Sequence, residues 1–304
     1  MSMRLINTAT LQMKVFTGDK IPRYAILSHT WAEDSEVDFR EMTDIAGSLA
    51  NPARQKSGYH KTLRACEVAR TDGTEHIWID TCCIDKSSSA ELSEAINSMF
   101  KWYKGAEVCY AYICDLAFGR NTKTSFGSCS YWTRSWTLQE MIAPELVQFY
   151  DMGWNFVGTR DSLIGAIKHI TGIEEDVLLR KKPLSEVLIA VKMSWASRRM
   201  STREEDIAYC LLGIFDVNMP LLYGEGQKAF LRLQEEIMKR SDDLSIFWNF
   251  TSSTPSTVAE CQLGVIGPSA KSSSGSELAW TQPSPLSKEE DRYIKRPHQR
   301  RCPV

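Results

Sequence analysis

The chain has 304 residues, of which 43% are hydrophobic and 24% are charged, as in an ordinary globular protein. This length favours one large domain or two small ones, with a core that needs no disulfides. Lys and Arg number 36 and Asp and Glu 38, so the net charge of −2 offers no general attraction to duplex nucleic acid or anionic membrane. We therefore expect no nucleic-acid partner.

Two features of the sequence predict the cellular compartment: its apolar segments and its cysteines. The first eight residues lack the apolar run of a secretory signal, and no stretch approaches the roughly 20 apolar residues of a membrane helix. The nine cysteines are odd in number and lie mostly in apolar segments, which favours reduced, buried thiols. The cysteines form no Cys-x-x-Cys pair and the five histidines are scattered, so we expect no metal site. These features predict a cytoplasmic protein without a membrane span.

Short apolar runs alternate with helical patterns over about residues 20–160. The runs, typical of buried parallel strands, are 24–28, 76–80, 107–113 and 146–150. The helical patterns cover 57–70, 88–103 and 133–142. This alternation predicts an α/β fold with a mostly parallel sheet.

A helical region is predicted over about residues 161–250, followed by a tail. Asp161 is expected to cap a helix that ends near Gly172, and further helices are expected over about 184–198, from Ser201, and over about 225–240. In 251–290, 21 of 40 residues are Ser, Thr, Gly or Pro. We therefore predict a folded unit over 1–250 and a disordered, low-complexity tail over 251–304.

Polar residues follow two of the predicted strands. Ser28, His29 and Trp31 come at the end of the first run, and Asp80 ends the second. Open α/β sheets bind ligands outside the carboxyl ends of their strands, so these residues are candidates for one crevice. For Ser28 and Asp80, capping of a loop or helix is an equal alternative.

The segment Arg134–Glu140 carries a second group of candidates. On a helix, Trp136 and Glu140 lie one turn apart on nearly the same face. An aromatic plane beside a carboxylate suits a ring and a sugar hydroxyl, and Arg134 suits a phosphate. Periodicity alone favours the simpler alternative of a buried Trp136 and a solvated Glu140.

Two weaker motifs are better explained by structural roles than by catalysis or ligand binding. Cys82-Cys83 would suit a thiol nucleophile, but its apolar context favours buried thiols. Gly224-Glu225-Gly226 opens a predicted helix, and a helix entry is favoured over a phosphate-binding loop.

Three blocks, 24–31, 77–86 and 134–140, resemble in order and spacing the fungal heterokaryon incompatibility (HET) domain. The stretches 203–215 and 220–226 resemble regions downstream of such domains, so the resemblance covers about residues 1–250. It implies an effector of fungal nonself recognition that triggers cell death, and that self-associates or works with another incompatibility or sensor protein.

The HET domain is also similar to TIR domains, which implies a flavodoxin-like α/β fold. In NAD-cleaving TIR domains the Glu of a Trp-x-x-x-Glu pattern is catalytic, and here that position is Glu140. The resemblance then implies NAD as a substrate rather than a cofactor, bound by Ser28, His29, Trp31, Asp80, Arg134 and Trp136. The alternatives are a non-enzymatic signalling or self-association module and a truncated relative that no longer signals.

Overall fold

The computed structural model describes residues 2–32, 34–47, 50–117 and 125–247. The tail predicted over 251–304 lies outside the described residues. Among the described residues, no helix combines the length and apolar character needed to cross a membrane.

One sheet of seven strands organises the described residues. The strands are β1 (Ser2–Asn7), β2 (Met13–Thr17), β3 (Ala25–His29), β4 (His76–Trp78), β5 (Val108–Tyr112), β6 (Val147–Tyr150) and β7 (Phe156–Thr159). Their spatial order is β2-β1-β4-β3-β5-β6-β7.

The four central strands are parallel. β3 pairs with β4 on one side and with β5 on the other, and β6 extends the parallel set beyond β5. In their own chain order these four strands lie 2-1-3-4, which is the start of the flavodoxin-like order. The predicted α/β fold and its four strands are confirmed, whereas the antiparallel strands β1, β2 and β7 at the two edges had no prediction.

Helices connect the strands, and further helices follow β7. They are α1 (Phe39–Gly47), α2 (Ser57–Thr71), α3 (Asp80–Cys83), α4 (Ser89–Gly105), α5 (Thr137–Ile142), α6 (Ile164–Thr171), α7 (Glu175–Leu178), α8 (Ile189–Ala196), α9 (Asp206–Tyr209) and α10 (Lys228–Met238). The predicted helices over 57–70 and 88–103 are confirmed, and the Ser88 hydroxyl accepts the hydrogen bond of the Glu91 N–H as an N-cap.

Several helix starts were predicted too early, and the helix expected from about residue 184 begins at Ile189 as α8, after a 3₁₀ turn over Leu184–Glu186. Asp161 does not cap α6, because a turn in which the Thr159 N–H donates to the Ser162 hydroxyl comes first and Leu163 is the N-cap. The helix expected from Ser201 begins only at Asp206. The helix expected from residue 133 begins at Thr137, since a 3₁₀ turn over Ser130–Trp132 precedes it.

β3 is the strand around which the core is built. It has neighbours on both sides, and all five of its residues are buried. Its polar residues Ser28 and His29 are therefore shielded from bulk water and need partners inside the protein.

The contact of Gly213 with α4 gives a test of this packing. A Cβ on Gly213 would lie 2.0 Å from the Cβ of Phe100, whereas a Cβ on Gly165 in α6 would meet no atom within 4 Å. We expect Gly213→Ala to lower the free energy of unfolding by about 1–3 kcal/mol through overpacking. Gly165→Ala should leave it unchanged or raise it by up to about 1 kcal/mol, because Ala favours a helix. Equal effects in urea denaturation would contradict this packing.

Candidate functional site

The sheet topology defines one place where a ligand crevice is expected. The strand order reverses between β3 and β5, and such a switch point opens a crevice at the carboxyl ends of the strands. The chain leaves β3 through Thr30 and Trp31, and it leaves β4 at Asp80, the first residue of α3. The predicted residues of both strand ends therefore lie at the same edge.

Asp80 joins the ends of β3 and β4. Its Oδ1 lies 2.9 Å from Nε2 of His29, and its Oδ2 accepts the indole N–H of Trp31 at 2.9 Å. Burial raises the pKa of this carboxyl, but His29, Lys86 and the Trp31 N–H together outweigh it and hold the pKa at about 2. Asp80 is thus ionised throughout the physiological range.

Lys61 determines the tautomer of His29. Its ammonium lies 2.7 Å from Nδ1 of His29 and also pairs with Glu36. An ammonium has only donors, so Nδ1 accepts and the ring proton is on Nε2, from which it is donated to Asp80. His29 is therefore fixed between a cation and an anion as a buried connector.

Glu140 lies beside the same end of β3, where it contacts Ser28. Its Oε2 accepts the hydroxyl of Ser28 at 2.6 Å, and that hydroxyl oxygen is also 2.9 Å from the hydroxyl of Tyr131. The Glu140 residue is only 4% exposed. Burial and the charge of Asp80 raise its pKa to about 8, against the opposing effects of Ser28, Arg134 and Tyr103. At pH 7 this carboxyl is therefore mostly protonated.

Trp31 is the exposed aromatic residue at this strand end, and we refer to Trp31, Lys86 and Arg134 together as the mouth of the expected crevice. Trp31 is 42% exposed, while Ser28 and His29 behind it are buried. The Lys86 ammonium lies 3.7 Å from the centre of the Trp31 ring, and the Arg134 guanidinium carbon lies 5.5 Å from it. The mouth thus combines an aromatic face with two cations.

Trp136, one turn before Glu140, has its own hydrogen-bond partner on another helix. Residue 136 is the N-cap of α5, and its indole N–H points to Asp206 of α9 at 3.4 Å. Glu140 instead contacts Ser28 on β3. The alternative of a solvated Glu140 is wrong, because this residue is buried.

Two buried arginines hold the ends of α5, and sequence patterns did not single them out. Arg199 donates from Nη1 to the carbonyl of Arg134 at 2.8 Å and to the hydroxyl of Thr137 at 2.9 Å, at the start of the helix. Arg160 donates to the carbonyls of Met141, Pro144 and Glu145 at 3.0, 2.9 and 2.8 Å, at its end. A cation among carbonyls at a helix C-terminus is favourable for both hydrogen bonding and the helix dipole.

Both weaker motifs have the simpler, structural roles. Cys82 and Cys83 are buried, and burial raises the pKa of Cys82 to about 11 and that of Cys83 well above its ordinary value, so neither is an activated nucleophile. The amides of Gly224 and Gly226 donate to the carboxylate of Glu205 at 2.7 and 3.0 Å. That loop is therefore filled by a side chain of this protein. The described residues contain no cluster of three or more His, Cys, Asp or Glu suited to a metal ion.

The role of Arg160 can be tested through stability. We expect Arg160→Met to lower the free energy of unfolding by about 3 kcal/mol or more, because buried carbonyls lose a charged donor. The control is Arg180→Met, which removes an exposed arginine whose ion pair with Glu145 is 3.6 Å long, and which should cost less than about 1 kcal/mol. Chemical denaturation measures the free energy of unfolding of both variants. A similar loss in the two would contradict the role of Arg160 at the end of α5.

The pKa of Glu140 predicts a pH-dependent stability. The ordinary value is 4.5 and the folded value about 8, so between these pH values the unfolded chain loses a proton that the folded chain keeps. Stability from this group is therefore full at low pH and falls as pH rises through that window. Glu140→Gln should exceed wild type by on the order of 3 kcal/mol at pH 8 and match it near pH 4.5.

The control for this measurement is the exposed Glu186→Gln, which should follow wild type at every pH. Denaturation curves at pH 4.5, 6, 7 and 8 give the comparison. A Glu140→Gln variant that is less stable than wild type at pH 8 would show that the buried carboxyl is needed in its ionised form.

Comparisons with known proteins agree with the resemblance. Residues 24–117 match the family model described as Heterokaryon incompatibility protein (HET). Over 235 residues, or 74% of this chain, the sequence is 46% identical to the Vegetative incompatibility protein HET-E-1 of Podospora anserina. The aligned part spans 17% of that relative's length. No solved structure gives a significant match. On these findings the chain is a HET-domain protein.

Proposed function

We propose that this protein acts in fungal heterokaryon, or vegetative, incompatibility as an effector of nonself recognition that triggers cell death. The HET family match and the 46% identity to a protein named for vegetative incompatibility support this role. We further propose that the effector activity is hydrolysis of NAD at the nicotinamide–ribose bond. The observation that carries this second step is a carboxyl, Glu140, held at the ligand-binding edge of the sheet beside an aromatic and cationic mouth.

The residues at the mouth match the parts of NAD. Trp31 offers an exposed indole on which a nicotinamide or adenine ring stacks. Lys86 and Arg134 flank that indole and supply positive charge for the diphosphate. Asp80 fixes the indole through its N–H, so the stacking surface is pre-arranged.

Glu140 is the group we assign to the reaction. The bond between the ribose anomeric carbon and the nicotinamide nitrogen breaks, and its electron pair leaves with the nitrogen and neutralises the pyridinium charge. Positive charge then develops on the ribose, which an adjacent carboxylate stabilises. Water forms the new bond to the anomeric carbon and releases one proton, giving nicotinamide and ADP-ribose.

The described state corresponds to a resting form in this proposal. Glu140 is 4% exposed and its pKa is about 8, so it neither contacts solvent nor carries its charge fully at pH 7. A bound nicotinamide cation beside it would favour the carboxylate. Activity therefore requires the mouth at Trp31 to open, and we infer that self-association or a sensor protein supplies that opening.

NAD consumption by the whole chain tests the enzyme directly. At high protein concentration we expect loss of NAD with formation of nicotinamide, and Glu140→Gln should lower the rate by about 100-fold or more, since the amide cannot provide the negative charge. Glu145→Gln, close in sequence and with an 83% exposed side chain, should retain the wild-type rate. Nicotinamide release measured by chromatography separates the variants. A Glu140→Gln protein that cleaves NAD at the wild-type rate would refute the assignment.

The second candidate is a non-enzymatic signalling module that self-associates or binds a partner. The burial of Glu140 and its hydrogen bond to Ser28 favour this candidate, because they give the carboxyl a purely structural use. Intact NAD in samples that assemble with increasing concentration, as judged by light scattering, would support the module over the enzyme.

A further inference from the structure

A second cavity lies outside the crevice. It has a volume of about 650 Å³, and Ser28, Asp80 and Glu140 are not among its lining residues. Its apolar lining includes Phe100 on α4, Ile142 at the end of α5, Phe215 after α9, and Ile237 on α10. A volume in this range is typical of sites for small molecules.

Cations from several elements converge on this apolar cavity. Those that line it are Lys101, Lys104, Arg180, Lys182, Lys192 and Arg240. Asp216 is the one carboxylate among the described lining residues. Cations gathered from separate elements repel one another and create a positive potential in the cavity.

Nearby carboxylates form ion pairs with only some of these cations. Lys182 pairs with Glu174 at 3.1 Å, and Arg180 lies 3.6 Å from Glu145. Lys101 and Lys104 lie one turn apart on α4, are exposed, and form no ion pair within the described residues. These two side chains are free to bind an anion.

Inside the cavity, Lys192 combines charge with an aromatic surface. Its ammonium donates to the carbonyl of Leu184 at 3.2 Å and lies 4.8 Å from the ring centre of Phe215. The guanidinium of Arg240 is held by the carbonyl of Asp216. Asp243 attracts Lys192 and Glu236 attracts Arg240, but neither cation forms an ion pair within 4 Å among the described residues.

We propose that this cavity binds a small molecule that carries phosphate groups on an aromatic body, the chemical class of nucleotides. The apolar walls accommodate the ring system, and the cations from α4, the segment after α7, α8 and the end of α10 accommodate the phosphates. The volume of about 650 Å³ is in the range of sites for small molecules. Asp80 and Glu140 of the crevice are not among the residues that line this site.

Binding to the whole chain tests the proposal, with ATP, UTP, adenosine and inorganic triphosphate as probes in isothermal titration calorimetry. We expect ATP or UTP to bind saturably at one site per chain, and adenosine and triphosphate to bind at least about tenfold more weakly. The double variant Lys101→Glu/Lys104→Glu should weaken nucleotide binding by at least about tenfold and still fold, because both side chains are exposed.

The matched control is Lys14→Glu/Lys20→Glu, which makes the same charge change at exposed positions on β2 and the turn after it. It should bind nucleotide within about twofold of wild type. Three results would overturn the proposal: no saturable nucleotide binding, equal affinity in the Lys101/Lys104 variant, or triphosphate binding as tight as ATP. The second would place the nucleotide elsewhere on the chain, and the third would indicate a bare cation cluster.

Discussion

The stability of helix α5 depends on buried residues from other parts of the chain. It has six residues, fewer than an isolated helix needs to persist in water, and it carries Glu140 near its centre. Arg199 holds its start, Arg160 holds its end, and Ser28 holds Glu140 itself against β3. The position of the carboxyl therefore depends on residues spread over more than 170 positions of the chain, from 28 to 199. The HET family match, which ends at residue 117, contains neither the helix nor its arginines.

Two carboxyl groups in the crevice have very different pKa values because their surroundings differ. Asp80 has a buried histidine, an indole N–H and Lys86 around it, so its pKa falls to about 2. Glu140 lies deeper and feels the charge of Asp80, so its pKa rises to about 8. Pairs of carboxyls driven apart in this way can hold one charge and one proton at the same pH. Asp80 then serves as the fixed anion that orders His29 and Trp31, and Glu140 as the group whose charge responds to a ligand.

The sequence predicted the parallel centre of the sheet because buried parallel strands are nearly continuous apolar runs. It did not predict β2, whose residues are mostly exposed at the sheet edge and give no such run. It also predicted that Ser28, His29 and Asp80 share one edge, since topology alone brings strand ends together. For Trp136 the backbone is helical as the spacing assumes, with φ −65° and ψ −37°, but the pattern did not predict that its indole N–H would point to Asp206 of α9.

The burial of Glu140 could not be read from its neighbours in sequence. The groups that enclose it include Tyr103 on α4 and Tyr131 before α5, and the cation that fixes His29 comes from Lys61 on α2. None of these is close in sequence to the residue it serves, and a tyrosine or lysine on a helix has many commoner roles. Such contacts become visible only once the fold has brought the elements together.

The crevice and the second cavity share α5. Glu140 faces β3, while Ile142 and Ala143, two and three residues later, line the cavity. A helix of six residues moves as one body, so a displacement of its cavity end shifts Glu140 against Ser28. Loss of that hydrogen bond, or a change in the burial of the carboxyl, alters the balance that sets its pKa near 8. If a nucleotide binds the cavity as proposed, it would act on the charge of Glu140 through the packing of this short helix.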